Sequence, residues 1–359
     1  MNNTHLRFDA LTGIRCIAAS MVFVYHNRKY WRGFMPQPLL QWVNEWHMGV
    51  SLFFVLSGFL IAWTYGRQPL QSGKDYLRYF LQRMARILPV YWLVLSALYL
   101  DFGVPKNVSL LQTYSLFHAF SGQNNLDGIS QAWTLNIELC FYALAPILFL
   151  LALQRPLRLL LLMITLPLAA AGLGWLWHVI NGNPQEFLYP PRFVLTATFF
   201  GRSFEFVAGM ALVLHLRHGK FVWLQKVPHK TILGGISVAL CLYAIGLFEP
   251  DIFHHGADRT GGLILSLFVF PICTALWLLG LIQEKTGLQR FLSTRFMVLL
   301  GNASFAFYLL HLSYANIRLR GWVLWADRNF LLLWVLSVVV YLLFEKPVYN
   351  RIRHWLKAM

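Results

Sequence analysis

The chain has 359 residues, of which 58% are hydrophobic, 16% aromatic and only 12% charged. A soluble globular domain carries about twice that charged fraction, and apolar runs here repeatedly approach the roughly twenty residues that cross a bilayer as a helix. Composition therefore points to an all-α integral membrane protein, and the formal net charge of +16 reads as a topology signal rather than a nucleic-acid footprint.

Ten spans are predicted in chain order, near residues 11–30, 48–66, 86–102, 133–153, 157–180, 194–216, 230–248, 260–282, 297–317 and 328–346. The first carries Arg15 and His26 inside an apolar run. Eleven helical residues turn through about 1100°, within roughly 20° of three full turns, so both side chains share one face about 16 Å apart. Polar groups at membrane depth are costly and usually face an interior, so Arg15 and His26 are expected to line one cavity. The run is read as an uncleaved helix, with no small-residue cleavage site behind it. Before the third span, KDYLRYFLQRMAR (Lys74 to Arg86) is basic and amphipathic and is expected to lie on the membrane surface. No repeat or polar linker interrupts the chain, so residues 1–359 are read as a single transmembrane domain. Cys16, Cys140, Cys241 and Cys273 all fall in apolar runs without paired spacing. No disulfide framework and no metal site is expected.

The termini and the loops after even-numbered spans hold 19 Lys and Arg, against nine in the other loops. Cytoplasmic loops collect these residues, so both termini are expected in the cytoplasm. On that orientation Arg15 is near the cytoplasmic side and His26 near the outer side. Glu138 falls about a turn and a half below the outer surface, level with His26. Arg202, Glu205 and His311 fall near or beyond the midplane, and Glu345 returns to the cytoplasmic edge beside Arg83 and Arg86.

Several of these stretches resemble the integral-membrane acyltransferase 3 family, bacterial O-acyltransferases of surface carbohydrates and some small molecules. The resemblance runs through FDALTGIRCIAASMVFVYH with its Arg15-x10-His26 spacing, GVSLFFVLSGFLI, RMARILPVYWL, WTLNIELCFY, RSFEFVAGM, GNASFAFYLLH and FEKP. It thus covers nearly the whole chain. One departure is the opening Asp9-Ala-Leu-Thr-Gly-Ile-Arg15, where many members have a shorter Asp-Gly-Leu-Arg.

The resemblance implies acyl transfer from cytoplasmic acyl-CoA, most simply acetyl-CoA, to a hydroxyl of a glycan or glycolipid. The donor is a co-substrate, no permanently bound cofactor is implied, and the setting would be the bacterial inner membrane. His26 would be the general base, or the carrier of an acyl group; its plain alternative is a packed structural histidine. Glu138 would orient that imidazole, or else lock two helices as half of an ion pair. Arg15 would hold a donor phosphate or an oxyanion, or else snorkel to the interface. The pair Arg83 and Arg86 suits the phosphates of coenzyme A, with anchoring to anionic lipid as the alternative. Arg202 and Glu205, three residues apart, are expected to pair with each other, with substrate contact as the second option. His311 either lines the acceptor side or packs. Ser57 and Gly58 are read as close-packing residues, and Glu345 with Pro347 as the structural end of the last span. The rival to an enzyme is a proton-coupled secondary transporter of an anionic or carbohydrate solute. A bare lipid-bound scaffold is a third reading, opposed by the buried charges.

Overall fold

The computed structural model describes residues 8–31, 33–66, 72–182, 187–249, 254–313 and 326–358. Among them every regular element is helical, apart from one isolated bridge between Ser121 and Phe187. The main helices are α1 (Asp9–Asn27), α2 (Gln37–Asn44), α3 (Gly49–Tyr65), α4 (Gly73–Phe102), α5 (Ser130–Gln154) and α6 (Pro156–Asn181). They continue with α7 (Phe199–His218), α8 (Lys230–Gly246), α9 (Thr260–Gln283), α10 (Arg295–Leu310) and α11 (Asn329–Ala358).

Seven helical stretches among the described residues are long and apolar enough to cross a membrane, so the protein is a multi-pass α-helical membrane protein. They contain α3 to α7, α9 and α11. The helices α1, α8 and α10 are shorter, at 19, 17 and 16 residues. Each of the ten expected spans overlaps one of these ten helices. The end of the ninth, residues 314–317, lies outside the described residues, as do Arg7, Arg32, Arg67, Arg318 and Arg320 of the charge balance.

Packing is centred on α1, which lies against α3 and α10, while α3 in turn packs closely on α7 and α8 on α9. The α3–α7 contact explains Gly58. A Cβ there would sit 2.1 Å from the Phe206 carbonyl oxygen, and one at Gly209 would sit 1.9 Å from that of Val55. In lipid, helix association gains little from hydrophobicity and depends on such close backbone approach. Gly209→Val is therefore expected to force α3 and α7 apart and to lower stability by about 1–3 kcal/mol, the usual cost of overpacking. Thermal unfolding of the detergent-purified protein reads this directly, and an unchanged midpoint would refute the contact.

Two expectations are corrected here. Residues 74–86 are not a separate surface segment but the first half of α4, a continuous 30-residue helix. Its start is fixed by Ser72, whose Oγ accepts from the Asp75 backbone N–H at 3.1 Å. The hydroxyls of Tyr76 and Tyr79 then donate to the carbonyls of Ala143 and Tyr142 at 2.8 and 2.9 Å, pinning α4 along α5. The polar face that looked solvent-directed is turned into the protein. The helix of the last span likewise does not stop at Glu345 and Pro347. A π-helical turn, Tyr341–Glu345, carries the helix through to Ala358. A wider turn of this kind relieves the backbone next to a proline, which has no N–H to give.

Candidate functional site

Two cavities lie back to back within the bundle, named inner and outer only after the orientation expected from the charge balance. The inner one has a cavity volume of about 90 Å³ and is lined by Arg15, Ser57, Arg83, Arg86, Glu138, Tyr142 and Tyr308, among others. The outer one has a cavity volume of about 410 Å³ and is lined by His26, His47, Gln131, Arg202, His255 and again Tyr308. Val50 and Tyr308 border both. The expectation of one cavity for Arg15 and His26 is corrected here: Arg15 lines the inner cavity and His26 the outer one.

The inner cavity is basic. Arg83 and Arg86 fall on adjacent turns of α4 and point inward together with Arg15 from α1. Aromatic rings flank them, with the Arg83 guanidinium carbon 5.2 Å from the Tyr65 ring centroid and 5.8 Å from that of Tyr142, and Arg15 5.9 Å from Phe53. Among the described residues none of the three arginines forms a salt bridge. Arg83 Nε is moreover buried without a hydrogen-bond partner there. Glu138 and Glu345 are within electrostatic reach of Arg15, but not paired with it.

Glu138 does not meet His26. Its Oε1 accepts from Ser57 Oγ at 2.8 Å and from the Tyr142 hydroxyl, inside the inner cavity. The expected imidazole–carboxylate pair does not form, because Glu138 lines the inner cavity and His26 the outer one. Ser57 is thus more than a packing residue, since it fixes the carboxylate.

His26, near the C-terminal end of α1, has aromatic neighbours instead. Its ring centroid lies 5.2 Å from that of His311 and 4.6 Å from that of Tyr25. His311 is fully buried, with Nδ1 2.5 Å from the Tyr308 carbonyl oxygen. A carbonyl only accepts, so Nδ1 carries the proton and Nε2 is the unprotonated nitrogen. Tyr308 is itself fixed, its hydroxyl 3.1 Å from Thr134 Oγ1 and 3.3 Å from the Gln131 carbonyl oxygen.

Arg202 and Glu205 pair as their spacing predicts. Arg202 Nε and Nη2 donate to the two carboxylate oxygens at 2.7 Å each, while Nη2 also reaches Ser51 and Nη1 the Thr196 carbonyl. The guanidinium is nearly saturated, which assigns it chiefly to structure even though its edge lines the outer cavity. The depth differs from expectation, since the chain breaks at Thr198 and restarts as α7, which puts Arg202 in a first turn and on the His26 side.

Glu45, His47 and His255 had no signal in the sequence. They converge, each with a potential ligand atom within 4.8 Å of the others, with His47 and His255 lining the outer cavity and Glu45 buried. The first two sit in a short 3₁₀ turn (Glu45–Met48), and His255 comes from the segment preceding α9. Burial holds His255 below the ordinary imidazole range, outweighing the opposing charge of Asp258, and Arg28 adds to the lowering.

Comparison with known proteins follows the same lines. The acyltransferase 3 family model, described as an acyltransferase domain, matches residues 8–345. YrhL of Bacillus subtilis, named as a candidate peptidoglycan O-acetyltransferase, is 25% identical over 86% of this chain and 48% of its own length. Acyltransferase MdmB of Streptomyces mycarofaciens is 27% identical over 85% of this chain and 78% of its own. O-acetyltransferase OatA of Staphylococcus aureus is 24% identical over 84% of this chain and 49% of its own. The chain thus spans about half the length of two of these three relatives. No solved structure matches.

Proposed function

Since the chain belongs to the acyltransferase 3 family, we propose that it moves an acyl group, in the first instance acetyl, from cytoplasmic acyl-CoA to a hydroxyl of a glycan or glycolipid. The reading places the protein in a bacterial inner membrane as one domain, crossing ten times with both termini in the cytoplasm. The names of the relatives support acetyl transfer, and that of YrhL supports a cell-wall glycan. The observation that carries the donor assignment is the trio Arg15, Arg83 and Arg86, three guanidinium groups in one interior cavity with no carboxylate partner among the described residues. Unpaired buried charge is expensive, and the phosphates of coenzyme A supply what is missing. Lipid anchoring fits poorly with side chains turned inward.

The thioester would extend from this cavity past Tyr308 toward His26. There the acceptor hydroxyl, entering from the outer cavity, attacks the thioester carbonyl as His26 takes its proton. A C–O bond forms, the C–S bond breaks, and the proton passes on to the departing coenzyme A thiolate. His311 packs against His26 and orients it, while Arg202 and Glu205 hold the acceptor-side wall. Glu138 tempers the arginines and keeps Tyr142 and Ser57 in place, a role in the donor cavity rather than in a triad.

Release of free coenzyme A by purified protein in liposomes, with and without a glycan acceptor, tests this reading. Arg83→Ala is expected to raise KM for acetyl-CoA by about 10–100-fold, the value of one hydrogen bond to a charged group, with kcat little changed. An unaltered KM would remove the donor assignment. Solute uptake that needs His26, without any coenzyme A release, would make the protein a transporter.

A further inference from the structure

We propose that Glu45, His47 and His255 form a binding site for one divalent transition-metal ion of the zinc class in the wall of the outer cavity. The first argument is an orphaned charge. Glu45 is fully buried, and its Oε1 is satisfied by the Gly256 N–H at 2.9 Å and by Asn44 Nδ2 at 3.4 Å. Its Oε2 is buried with no hydrogen-bond partner among the described residues. It lies 3.9 Å from Nδ1 of His47, too far for a hydrogen bond. A carboxylate oxygen stripped of water and left unmatched is costly, and a cation beside it removes that cost.

The second argument is the support behind the imidazoles. Ligating histidines almost always engage their other ring nitrogen with a carbonyl or similar partner, which fixes tautomer and orientation. His47 Nδ1 lies 3.3 Å from the Asn44 carbonyl oxygen, which leaves the lone pair on Nε2. His255 Nε2 lies 3.0 Å from the Tyr25 hydroxyl. One atom of each side chain, one or other ring nitrogen in the case of the histidines, lies within 4.8 Å of the others. A tetrahedral ion with bonds of about 2.0–2.1 Å needs them roughly 3.4 Å apart, so modest side-chain rotations close the site.

Two imidazoles and one carboxylate favour zinc over magnesium or calcium, which take oxygen ligands. Three protein ligands also leave a fourth position, the arrangement of zinc sites that bind water or substrate. Because His47 and His255 line the cavity that holds His26, an oxygen ligand in that position would be presented to the same space as the acceptor hydroxyl.

The test uses full-length protein purified without a polyhistidine tag and stripped with chelator. Zn²⁺ is titrated in against a chromophoric competitor, and bound metal is counted by mass spectrometry. Wild type and His218→Ala, at an exposed histidine remote from the site, are expected to take up one Zn²⁺ per chain. His255→Gln and Glu45→Gln should bind at least about 100-fold more weakly, because outer-partner changes alone cost about 10–100-fold. Tyr25→Phe is expected to fall in that 10–100-fold range. Absence of stoichiometric uptake by wild type overturns the site whatever the variants do, and so does undiminished uptake by His255→Gln and Glu45→Gln.

Discussion

His26→Ala is expected to lower acyl transfer by about 10²–10⁴-fold in kcat, the range contributed by a positioned general base, with little change in KM for acyl-CoA. The split follows from the geometry. His26 belongs to the outer cavity, while the three arginines assigned to the donor belong to the inner one. Loss of the imidazole should therefore leave donor binding intact and stop the chemistry. Steady-state coenzyme A release with saturating acceptor measures kcat, and calorimetric titration with a non-hydrolysable donor analogue measures binding. Full activity in His26→Ala would end its assignment as base. A tenfold loss of donor affinity would show instead that His26 shapes the inner cavity.

Glu205→Gln is expected to cost about 3–5 kcal/mol of stability, because it leaves a guanidinium buried beside a neutral amide. Both members are almost fully enclosed, with Arg202 8% and Glu205 0% exposed. The double variant Arg202→Met, Glu205→Met removes both charges together and should recover most of that loss, since a buried ion pair often breaks even against apolar residues of similar size. Unfolding midpoints in a single detergent decide the matter. A double variant as unstable as the single one would show that the bonds from Arg202 to Ser51 and the Thr196 carbonyl, rather than the pair, hold α7 in place.

What the sequence revealed was mainly local. The pairing of Arg202 with Glu205 at i, i+3 needed only helix geometry and the structure reproduces it, whereas the spacing of Arg15 and His26 did not reveal that they line two separate cavities. Helix position was legible because apolar length is a strong signal. Rotation and exact start were not. The amphipathic pattern from Lys74 to Arg86 is the same whether its polar face meets headgroups or a cavity, and only packing against Tyr142 and Ala143 decides. Nothing in the spacing of α5 showed that Glu138 would meet Ser57 and Tyr142 in the inner cavity rather than His26. The group Glu45, His47 and His255 joins a 3₁₀ turn to a distant segment, and no periodicity connects them.

The side chain shared by the two cavities has an electrical consequence. On the proposed orientation the inner and outer cavities open to opposite faces of the membrane, so the transmembrane voltage drops mainly across the septum that Tyr308 helps to form. A charge carried through that septum feels nearly the whole of it, about 2.3 kcal/mol per elementary charge for each 100 mV. A neutral acyl group feels none, while a proton handed outward or inward with it feels all. On that orientation the phenol held by Thr134 and the Gln131 carbonyl would also act as an insulator, separating group transfer from ion leakage.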